Sequence, residues 1–418
     1  MSVLKQPGKR PRRAPTIIGA LATLLLMLVA TSWGSSVALA SPGWSIQPTP
    51  NTGGTLNGVS CTSANACIAV GQANGAALAE RWDGTAWATQ PTPNPGTLLS
   101  VSCLAATSCT AVGSISGAPL AEQWAGGAWS VTLNQGAGYM HGVYLRGVSC
   151  TSASACTAAG FYVRLFPYPG HKPPFRAAYQ TLAEQWNGTA WSVQTTPDEG
   201  TAVHNWLYSV SCTAANACIA VGGLQGVPGL AMRWDGTAWS IQNVSSPDYT
   251  LYGVSCTSAT ACTAVGLLTA DIANSPSVYV DRWDGTRWWQ QSVPLPPDAK
   301  AATLYGVSCP SAKACAAVGG YTTRSGVEEA LAEEWNGTTW TVVPTPTPGG
   351  ATSTTLAGVS CSSASTCTAV GNYVSSSGAQ ETLAEAYTGQ AEILRILCSC
   401  PAKPARSRLL TLAARALT

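Results

Sequence analysis

The chain has 418 residues, a formal net charge of +2 and only 10% charged residues. This low and balanced charge excludes the basic stripe of a nucleic-acid-binding protein and the acidic field of a cation-capturing one. None of the repeated units described below shows the 3.6-residue apolar period of a helix. We therefore expect an all-β protein without a nucleic-acid partner.

Residues 1–40 have the pattern of a secretory signal peptide. Lysines and arginines between positions 5 and 13 precede an apolar run from 17 to 29, and Ala38-Leu39-Ala40 supplies small residues for cleavage. The apolar run is short for a membrane span, so we expect no stable span once the signal is removed. The alternative is an uncleaved N-terminal anchor. The pattern predicts a secreted, extracellular protein.

A unit of about 50 residues begins at position 56 and occurs seven times. In its first copy it reads Leu-Asn-Gly-Val-Ser-Cys (56–61), Cys-Ile-Ala-Val-Gly (67–71), Leu-Ala-Glu-Arg-Trp (78–82) and Asp-Gly-Thr-Ala-Trp (83–87). Four short strand-like runs are separated by Gly, Pro and small polar residues that are typical of turns. The period predicts one seven-bladed β-propeller of four-stranded blades over residues 41–389.

The last unit ends after Tyr387 and lacks a fourth strand, whereas an additional strand precedes the first unit. That additional strand, residues 43–47, closely resembles the fourth strand at 238–242. We expect it to complete the seventh blade and close the ring, which would remove the unpaired edges of an open array. Residues 390–418 break the repeat and are predicted to form a basic, disordered tail.

The Trp-Asp-Gly-Thr-x-Trp turn at 82–87 resembles the Asp-box of sialidase-like propellers, and the order of the runs is similar to kelch-type blades. The resemblance covers roughly residues 43–389 and implies the fold, which hosts many functions. It implies that the turns holding Asp83, Asp235 and Asp284 lie on the face opposite an active site. We interpret these residues as local caps of the turn backbone.

Each unit carries a Cys-x5-Cys pair around the turn between its first two runs. Opposed residues on paired strands lie close enough for a disulfide, and export provides an oxidising compartment. A thiolate metal site is the alternative, but no Cys-x2-Cys or accompanying histidine supports it. We predict no metal site, no cofactor and seven disulfides: Cys61–Cys67, Cys103–Cys109, Cys150–Cys156, Cys212–Cys218, Cys256–Cys262, Cys309–Cys315 and Cys361–Cys367.

An acidic residue recurs two positions before the tryptophan of the third run. Strand alternation places it on the same sheet face as the neighbouring Leu and Trp, which should pack against the next blade. We expect a blade-to-blade hydrogen bond, for example to an indole N–H, rather than a catalytic or cation-binding ring. The tryptophans are expected to be core residues. The acids are Glu80, Glu122, Glu184, Asp281, Glu333 and Glu385, with Met232 in the fourth unit.

The third unit departs from the others by an insertion at 161–181, which holds every phenylalanine of the chain. Its neighbours on the same predicted face carry two of the three histidines. Long aromatic loops on a rigid scaffold are common binding sites. We hypothesise a binding module for an extracellular glycan or cell-surface polymer, with the self-packed surface loop as the alternative. The predicted binding residues are His141, Tyr144, Phe161, Tyr162, Arg164, Phe166, Tyr168, His171, Arg176, His204 and Trp206.

Two other functions remain open at this stage. A glycoside hydrolase or lyase of the sialidase-like type would need an arginine cluster, for which Arg146 and Arg164 are candidates, and acid–base groups, for which Asp198 and Glu199 are candidates. A non-catalytic structural surface protein would need neither. A metal site of the three histidines is conceivable, although their spacing matches no motif. The expected oligomeric state is a monomer.

Overall fold

The computed structural model describes residues 42–50, 53–132, 140–167, 175–197, 204–224, 227–245, 249–268 and 278–389. The predicted signal segment and the predicted tail lie outside these ranges. Seven four-stranded antiparallel sheets are arranged so that the first strand of each contacts the first strand of the next, and the seventh returns to the first. The predicted seven-bladed β-propeller is confirmed.

The blades are numbered in chain order, and each is described from its inner to its outer strand. The inner strands are β2 (Gly54–Ser63), β6 (Thr97–Ala105), β10 (His141–Ser152), β14 (Asn205–Ala214), β18 (Tyr249–Ser258), β22 (Ala299–Ser311) and β26 (Ala351–Ser363). The second strands are β3 (Ala66–Ala73), β7 (Ser108–Ile115), β11 (Ala155–Pro167), β15 (Ala217–Leu224), β19 (Ala261–Leu268), β23 (Ala314–Thr323) and β27 (Thr366–Ser375).

The third strands are β4 (Ala76–Trp82), β8 (Ala118–Trp124), β12 (Phe175–Trp186), β16 (Val227–Trp234), β20 (Val278–Trp283), β24 (Glu328–Trp335) and β28 (Gln380–Thr388). The outer strands are β5 (Trp87–Gln90), β9 (Trp129–Val131), β13 (Trp191–Gln194), β17 (Trp239–Gln242), β21 (Trp288–Gln290), β25 (Trp340–Val342) and, in blade 7, β1 (Gly43–Gln47). We call the side of the ring with the first-to-second and third-to-fourth strand turns the turn face. The opposite side is the loop face.

The N-terminal strand closes the ring as expected. Strand β1 pairs antiparallel with β28 over five residues, from Gly43 opposite Thr388 to Gln47 opposite Ala384. Trp44 is buried against Tyr387, with ring centroids 5.4 Å apart. Blade 7 therefore joins both ends of the repeated chain in one sheet, which leaves no unpaired third strand.

The core lies between neighbouring blades rather than inside a single sheet. Leu120 and Trp124 of blade 2, for example, pack against Val70 and Ala79 of blade 1. The alternation of a strand sends one side-chain row to each neighbour, so every blade is buried on both faces except at its rim. The repeated tryptophans at the start of the outer strands are buried, which confirms their expected role in the core.

A ring of hydrogen bonds connects all seven inner strands. The sequence repeat does not predict it. The serine of each Val-Ser-Cys motif accepts a hydrogen bond from the backbone N–H of the cysteine one blade onward. The last link, from Cys61 N to Ser360 Oγ at 2.9 Å, joins blade 7 to blade 1. The other accepting serines, at 2.9 to 3.0 Å, are Ser60, Ser102, Ser149, Ser211, Ser255 and Ser308.

Replacing one of these serines should weaken the ring at a defined place. Ser255→Ala removes the acceptor of the Cys309 N–H, and we expect the free energy of unfolding to fall by about 1 kcal/mol. Ser130→Ala is the matched control, because this exposed outer-strand serine only donates a hydrogen bond of 3.4 Å to Gln123 O on the third strand of its own blade. The control should change stability by no more than about 0.5 kcal/mol in chemical denaturation. Equal effects of the two variants would contradict the ring's role.

The seven predicted cysteine pairs are at bonding distance, each with Cα atoms 3.9 to 4.0 Å apart. Six of the pairs connect directly opposed residues where the first hairpin of the blade turns, as for Cys61 and Cys67, and the blade 6 pair lies at a register shift of its hairpin. Such a set of disulfides indicates an oxidising environment.

The third-to-fourth strand turns are capped by their acidic or amide residue, as expected. Asp83 Oδ1 accepts hydrogen bonds from Thr85 N at 2.8 Å, Thr85 Oγ1 at 2.7 Å and Ala86 N at 2.9 Å. These donors hold the pKa of Asp83 down at about 2. The same three bonds occur at Asn187, Asp235, Asp284 and Asn336.

The third-blade insertion is a β-hairpin and not the long loop that we expected from the sequence. Strands β11 and β12 stay in register from Cys156 opposite Trp186 out to Pro167 opposite Phe175. The run from Phe161 to Phe166 is rich in aromatic and branched residues, which favour strand continuation. Its side chains therefore alternate between the two sides of a two-stranded ribbon.

Candidate functional site

Every inner strand has a β-bulge at the same place. The pairing with the second strand shifts at the residue between the repeated Leu and the following Gly or Ser. A bulge re-aims a side chain, and here the residue at the bulge lines the central channel. We call it the channel residue; in blade order these are Asn57, Leu99, Arg146, Tyr208, Tyr252, Tyr305 and Ala357.

Close packing of the inner strands narrows this channel. A Cβ on Gly147 would lie 2.9 Å from Ser209 Cα, and one on Gly358 would lie 3.2 Å from Asn57 O. Blades 2 and 4 carry Ser100 and Ser209 at the glycine position, and these accept hydrogen bonds from the next blade's Val148 N and Val254 N. The channel cavity has a volume of about 300 Å³.

Three adjacent blades contribute an unbroken tyrosine wall to the channel. The rings of Tyr208 and Tyr252 are 5.2 Å apart, and those of Tyr252 and Tyr305 are 5.6 Å apart. Burial raises the pKa of Tyr252 to about 12 and also raises those of Tyr208 and Tyr305. The three phenols therefore remain protonated at neutral pH and can donate hydrogen bonds to a ligand.

Arg146 stands at the end of this wall. Its guanidinium lies 5.8 Å from the Tyr208 ring centroid and 5.7 Å from that of Phe161. No carboxylate of the described residues forms an ion pair with it, and its buried Nε has no protein acceptor. Among the described residues, its positive charge contacts only aromatic faces, which leaves its donors available to an anionic group.

The aromatic wall continues beyond Arg146 to the loop face, where the hairpin and blade 4 meet. Phe161 contacts Tyr144 at 5.2 Å and Tyr179 at 5.3 Å, measured between ring centroids. Tyr179 in turn contacts His204 at 4.9 Å and Trp206 at 5.7 Å. The aromatic belt, as we call it, comprises Tyr144, Phe161, Tyr179, His204, Trp206, Tyr208, Tyr252 and Tyr305.

His204 is fixed within the belt. Its ring stacks on Trp206 with an interplanar angle of 8°. Its Nδ1 accepts a hydrogen bond of 3.0 Å from the backbone N–H of Tyr179. Because Nδ1 accepts this hydrogen bond, it carries no proton. The bond holds the His204 ring in the position in which it stacks on Trp206.

The structure brings only part of the predicted binding set together. Tyr144, Phe161, His204 and Trp206 share the belt. Tyr162, Arg164 and Phe166 alternate to the other side of the hairpin, where Tyr162 packs against the blade 2–blade 3 core and Arg164 lies 5.0 Å over the Phe166 ring. Tyr168 and His171 lie outside the described residues, and so do the side chains of His141 and Arg176.

The predicted enzymatic groups do not form one described cluster. Arg146 lies in the channel, whereas Arg164 is exposed on the far side of the hairpin. Asp198 and Glu199 lie outside the described residues. Within the described ranges, no group of three or more His, Cys, Asp or Glu side chains could hold a metal ion.

The repeated acids face the neighbouring blade, as expected, but the indole bond that we expected is wrong for four of them. Both carboxylate oxygens of Glu80, Glu333 and Glu385 are buried without a protein hydrogen-bond partner, and the buried carboxylate of Glu122 has only a weak contact with Asn94. Three outer-strand indoles donate to other groups, as Trp87 Nε1 does to Gln47 Oε1 at 3.0 Å, and the indole N–H groups of Trp44, Trp129, Trp288 and Trp340 are buried without a described acceptor. Burial raises the carboxyl pKa to about 7 in Glu80 and Glu122 and to about 8 in Glu333 and Glu385.

Blades 4 and 5 differ from the other blades at the position of the repeated acid. Met232 fills it with an apolar side chain in blade 4. In blade 5, Asp281 accepts hydrogen bonds from Ser245 Oγ at 2.6 Å and from Tyr249 Oη at 3.3 Å. The blade fold therefore does not require an acid at this position. None of these contacts involves a channel residue.

Comparison with known proteins identifies the fold only. No family model and no curated protein sequence matches the chain. The similar solved structures include YCF48 bound to D1 peptide, at 14% identity and TM-score 0.50, covering 85% of this chain and 100% of the other. A polysaccharide lyase has 8% identity and TM-score 0.51, with 85% and 91% covered.

A third similar structure is the virginiamycin B lyase of Staphylococcus aureus, at 8% identity and TM-score 0.51, covering 82% of this chain and 98% of the other. The three proteins differ in function. Identities this low show a shared propeller and carry no function to this chain.

The described residues contain no helical segment with the length and apolar character that a membrane crossing requires.

Proposed function

We propose that this protein is a secreted binding module that holds an extended, carboxylate-bearing glycan across the loop-face mouth of its central channel. The observation that carries the proposal is Arg146, a cation that lies between the Phe161 and Tyr208 rings in a channel of about 300 Å³ and forms no ion pair with a described carboxylate. A uronate carboxylate is the kind of group that a planar guanidinium binds through two donors.

The aromatic belt supports a sugar as the ligand. Aromatic faces stack on the apolar faces of sugar rings, and the protonated phenols of Tyr208, Tyr252 and Tyr305 can bond hydroxyl groups. The belt extends from blade 3 to blade 6, so it suits a chain of several rings better than a single small molecule. The signal pattern and the disulfides support an extracellular ligand.

Binding to polygalacturonate, alginate and hyaluronan, with neutral dextran as comparison, would test the proposal by affinity electrophoresis and calorimetry. We expect Arg146→Ala to weaken binding of the acidic polymer about 10- to 100-fold, because a charge-assisted contact is lost. Alanine is compatible with this position, since Ala357 occupies it in blade 7. Trp206→Ala should weaken acidic and neutral sugars alike.

The matched control is Asp235→Ala in a turn on the other face, which should lower stability slightly and leave affinity unchanged. Failure of all three acidic polymers to bind, or unchanged affinity in Arg146→Ala, would overturn the proposal. A poly-glutamate sample extends the test to peptides, because one structurally similar protein, YCF48, binds a peptide. Binding of poly-glutamate alone would show that the ligand class is wrong.

A further inference from the structure

A groove of about 920 Å³ separates blades 5 and 6 on the turn face, on the opposite side of the ring from the aromatic belt. Blade 5 contributes Arg282, Trp289 and Gln291 to it. Blade 6 contributes the buried ring of Trp335 and the exposed residues Thr338 and Thr339. Trp283, Trp340 and Asp284 also line it, so the groove combines four indoles and one guanidinium with one carboxylate and neutral hydrogen-bonding groups.

Trp289 departs from the repeat and distinguishes this groove from the equivalent places in the other blades. Its neighbour Trp288 is the repeated core tryptophan and is 3% exposed, whereas Trp289 is 42% exposed. This partly exposed indole on an outer strand has no packing role that the repeat requires. The equivalent residues of the other blades are small: Ser45, Ala88, Ser130, Ser192, Ser240 and Thr341.

Arg282 is the direct cross-strand partner of Trp289, so both side chains point to the same side of the sheet. Its guanidinium lies 4.7 Å from the Trp335 ring centroid and donates one hydrogen bond of 2.8 Å to Ala312 O. Among the described residues, no carboxylate forms an ion pair with it. The nearby Asp284 is engaged by its own turn and by Arg287.

We propose that this groove is a second saccharide site, which takes one acidic sugar residue. The apolar face of the sugar stacks on Trp289, and its carboxylate pairs with the remaining guanidinium donors of Arg282. Gln291, Thr338 and Thr339 provide donors and acceptors for the ring hydroxyls. The proposal goes beyond the loop-face function, because it concerns different residues on the other face of the ring.

The repeat itself provides matched controls for this groove. Blade 4 has Arg233 opposite Ser240, and blade 1 has Arg81 opposite Ala88, so both retain the cation but lack the exposed indole. If the indole and the cation act together, only the blade 5 pair should bind. Arg233→Gln is therefore the control for Arg282→Gln, and Ser240→Ala is the control for Trp289→Ala.

The experiment titrates the full protein with galacturonate oligosaccharides and follows the binding heat and the tryptophan fluorescence. We expect Trp289→Ala and Arg282→Gln each to abolish one class of site or to weaken it at least tenfold. The melting temperature should be unchanged in Trp289→Ala and slightly lower in Arg282→Gln, which also loses the hydrogen bond to Ala312 O. Arg233→Gln and Ser240→Ala should leave both classes of site intact. Thermal unfolding of each variant separates loss of binding from loss of fold.

Trp206→Ala distinguishes the two proposals, because it lies in the belt and not in the groove. A groove site that persists in Trp206→Ala and disappears in Trp289→Ala confirms the second site, whatever happens at the loop face. A titration that is unchanged by Trp289→Ala and Arg282→Gln overturns it. Quenching by acidic peptides but not by galacturonate oligosaccharides would also overturn the saccharide assignment.

Discussion

Deletion of residues 41–50 should open the ring and cause the largest loss of stability of any change considered for this protein. Strand β1 provides five paired residues to β28, and Thr49 Oγ1 donates a further hydrogen bond of 3.1 Å to Thr382 O. Without β1, the third strand of blade 7 becomes an exposed edge that can pair with another chain. We expect the truncated protein to aggregate or to unfold at a much lower temperature in calorimetry and size-exclusion chromatography.

The single substitution Trp44→Ala tests the same closure without removing the strand. Trp44 is 8% exposed and packs in the core between blades 6 and 7, so its loss should cost about 3 to 5 kcal/mol of unfolding free energy. The control is Ile46→Ser on the same strand, because Ile46 is 40% exposed. A monomeric truncation with the melting temperature of the full protein would contradict closure by β1.

The second large effect is a fall in stability as the pH rises from about 4.5 to about 8. Glu80, Glu122, Glu333 and Glu385 have folded-state pKa values of about 7 to 8, raised from 4.5 by burial. Below pH 4.5 these groups are protonated in both states and no penalty arises. Above pH 4.5 these carboxyls ionise in the unfolded state before they ionise in the folded state. The free energy of unfolding therefore falls until the folded-state carboxyls ionise as well.

Glu333→Gln combined with Glu385→Gln should remove part of this pH dependence. Each replaced acid contributes on the order of 3 kcal/mol to the loss across that window, so the slope of unfolding free energy against pH should flatten. We therefore compare slopes in urea unfolding between pH 5 and 8, because the amide itself changes stability equally at every pH. Identical slopes for the variant and the parent protein would contradict the buried, unpaired state of these carboxyls.

The aspartates of the capped turns determine the acid side of the curve of unfolding free energy against pH. They also provide the control. Hydrogen bonds from the turn hold the pKa of Asp83, Asp235 and Asp284 at about 2, below the ordinary 3.8. Their contribution is complete above pH 3.8 and is lost as the pH falls toward 2. Asp235→Asn should therefore change only the acid limb and leave the slope between pH 5 and 8 unchanged.

The sequence predicts the ring well because each blade repeats the physical features that form it. The blade number, the disulfides and the closing strand follow from the positions of Cys61, Cys361 and Trp44 in the repeat. The serine ring is not predicted, although Val-Ser-Cys is equally regular. Its hydrogen bonds cross from one blade to the next, and a period within one unit does not describe such contacts.

The candidate site is only half predicted, and the reason lies in the backbone. The insertion was recognised by its length, but strand alternation separates Phe161 from Tyr162 and Phe166. The channel residues were missed, because a bulge after Leu145 and its equivalents decides which side chain enters the channel. A signal was nevertheless present: one position inside an otherwise constant motif varies among Asn, Leu, Arg, Tyr and Ala.

A crystal structure of the protein with an oligogalacturonate is the most direct test of the loop-face binding proposal. We predict sugar rings against the belt between Trp206 and Tyr305, with a carboxylate on the Arg146 guanidinium. The Arg146→Ala protein, crystallised under the same conditions, should show no sugar in the channel mouth. Sugar bound only outside the belt, or bound in the belt with its carboxylate turned away from Arg146, would contradict the proposal.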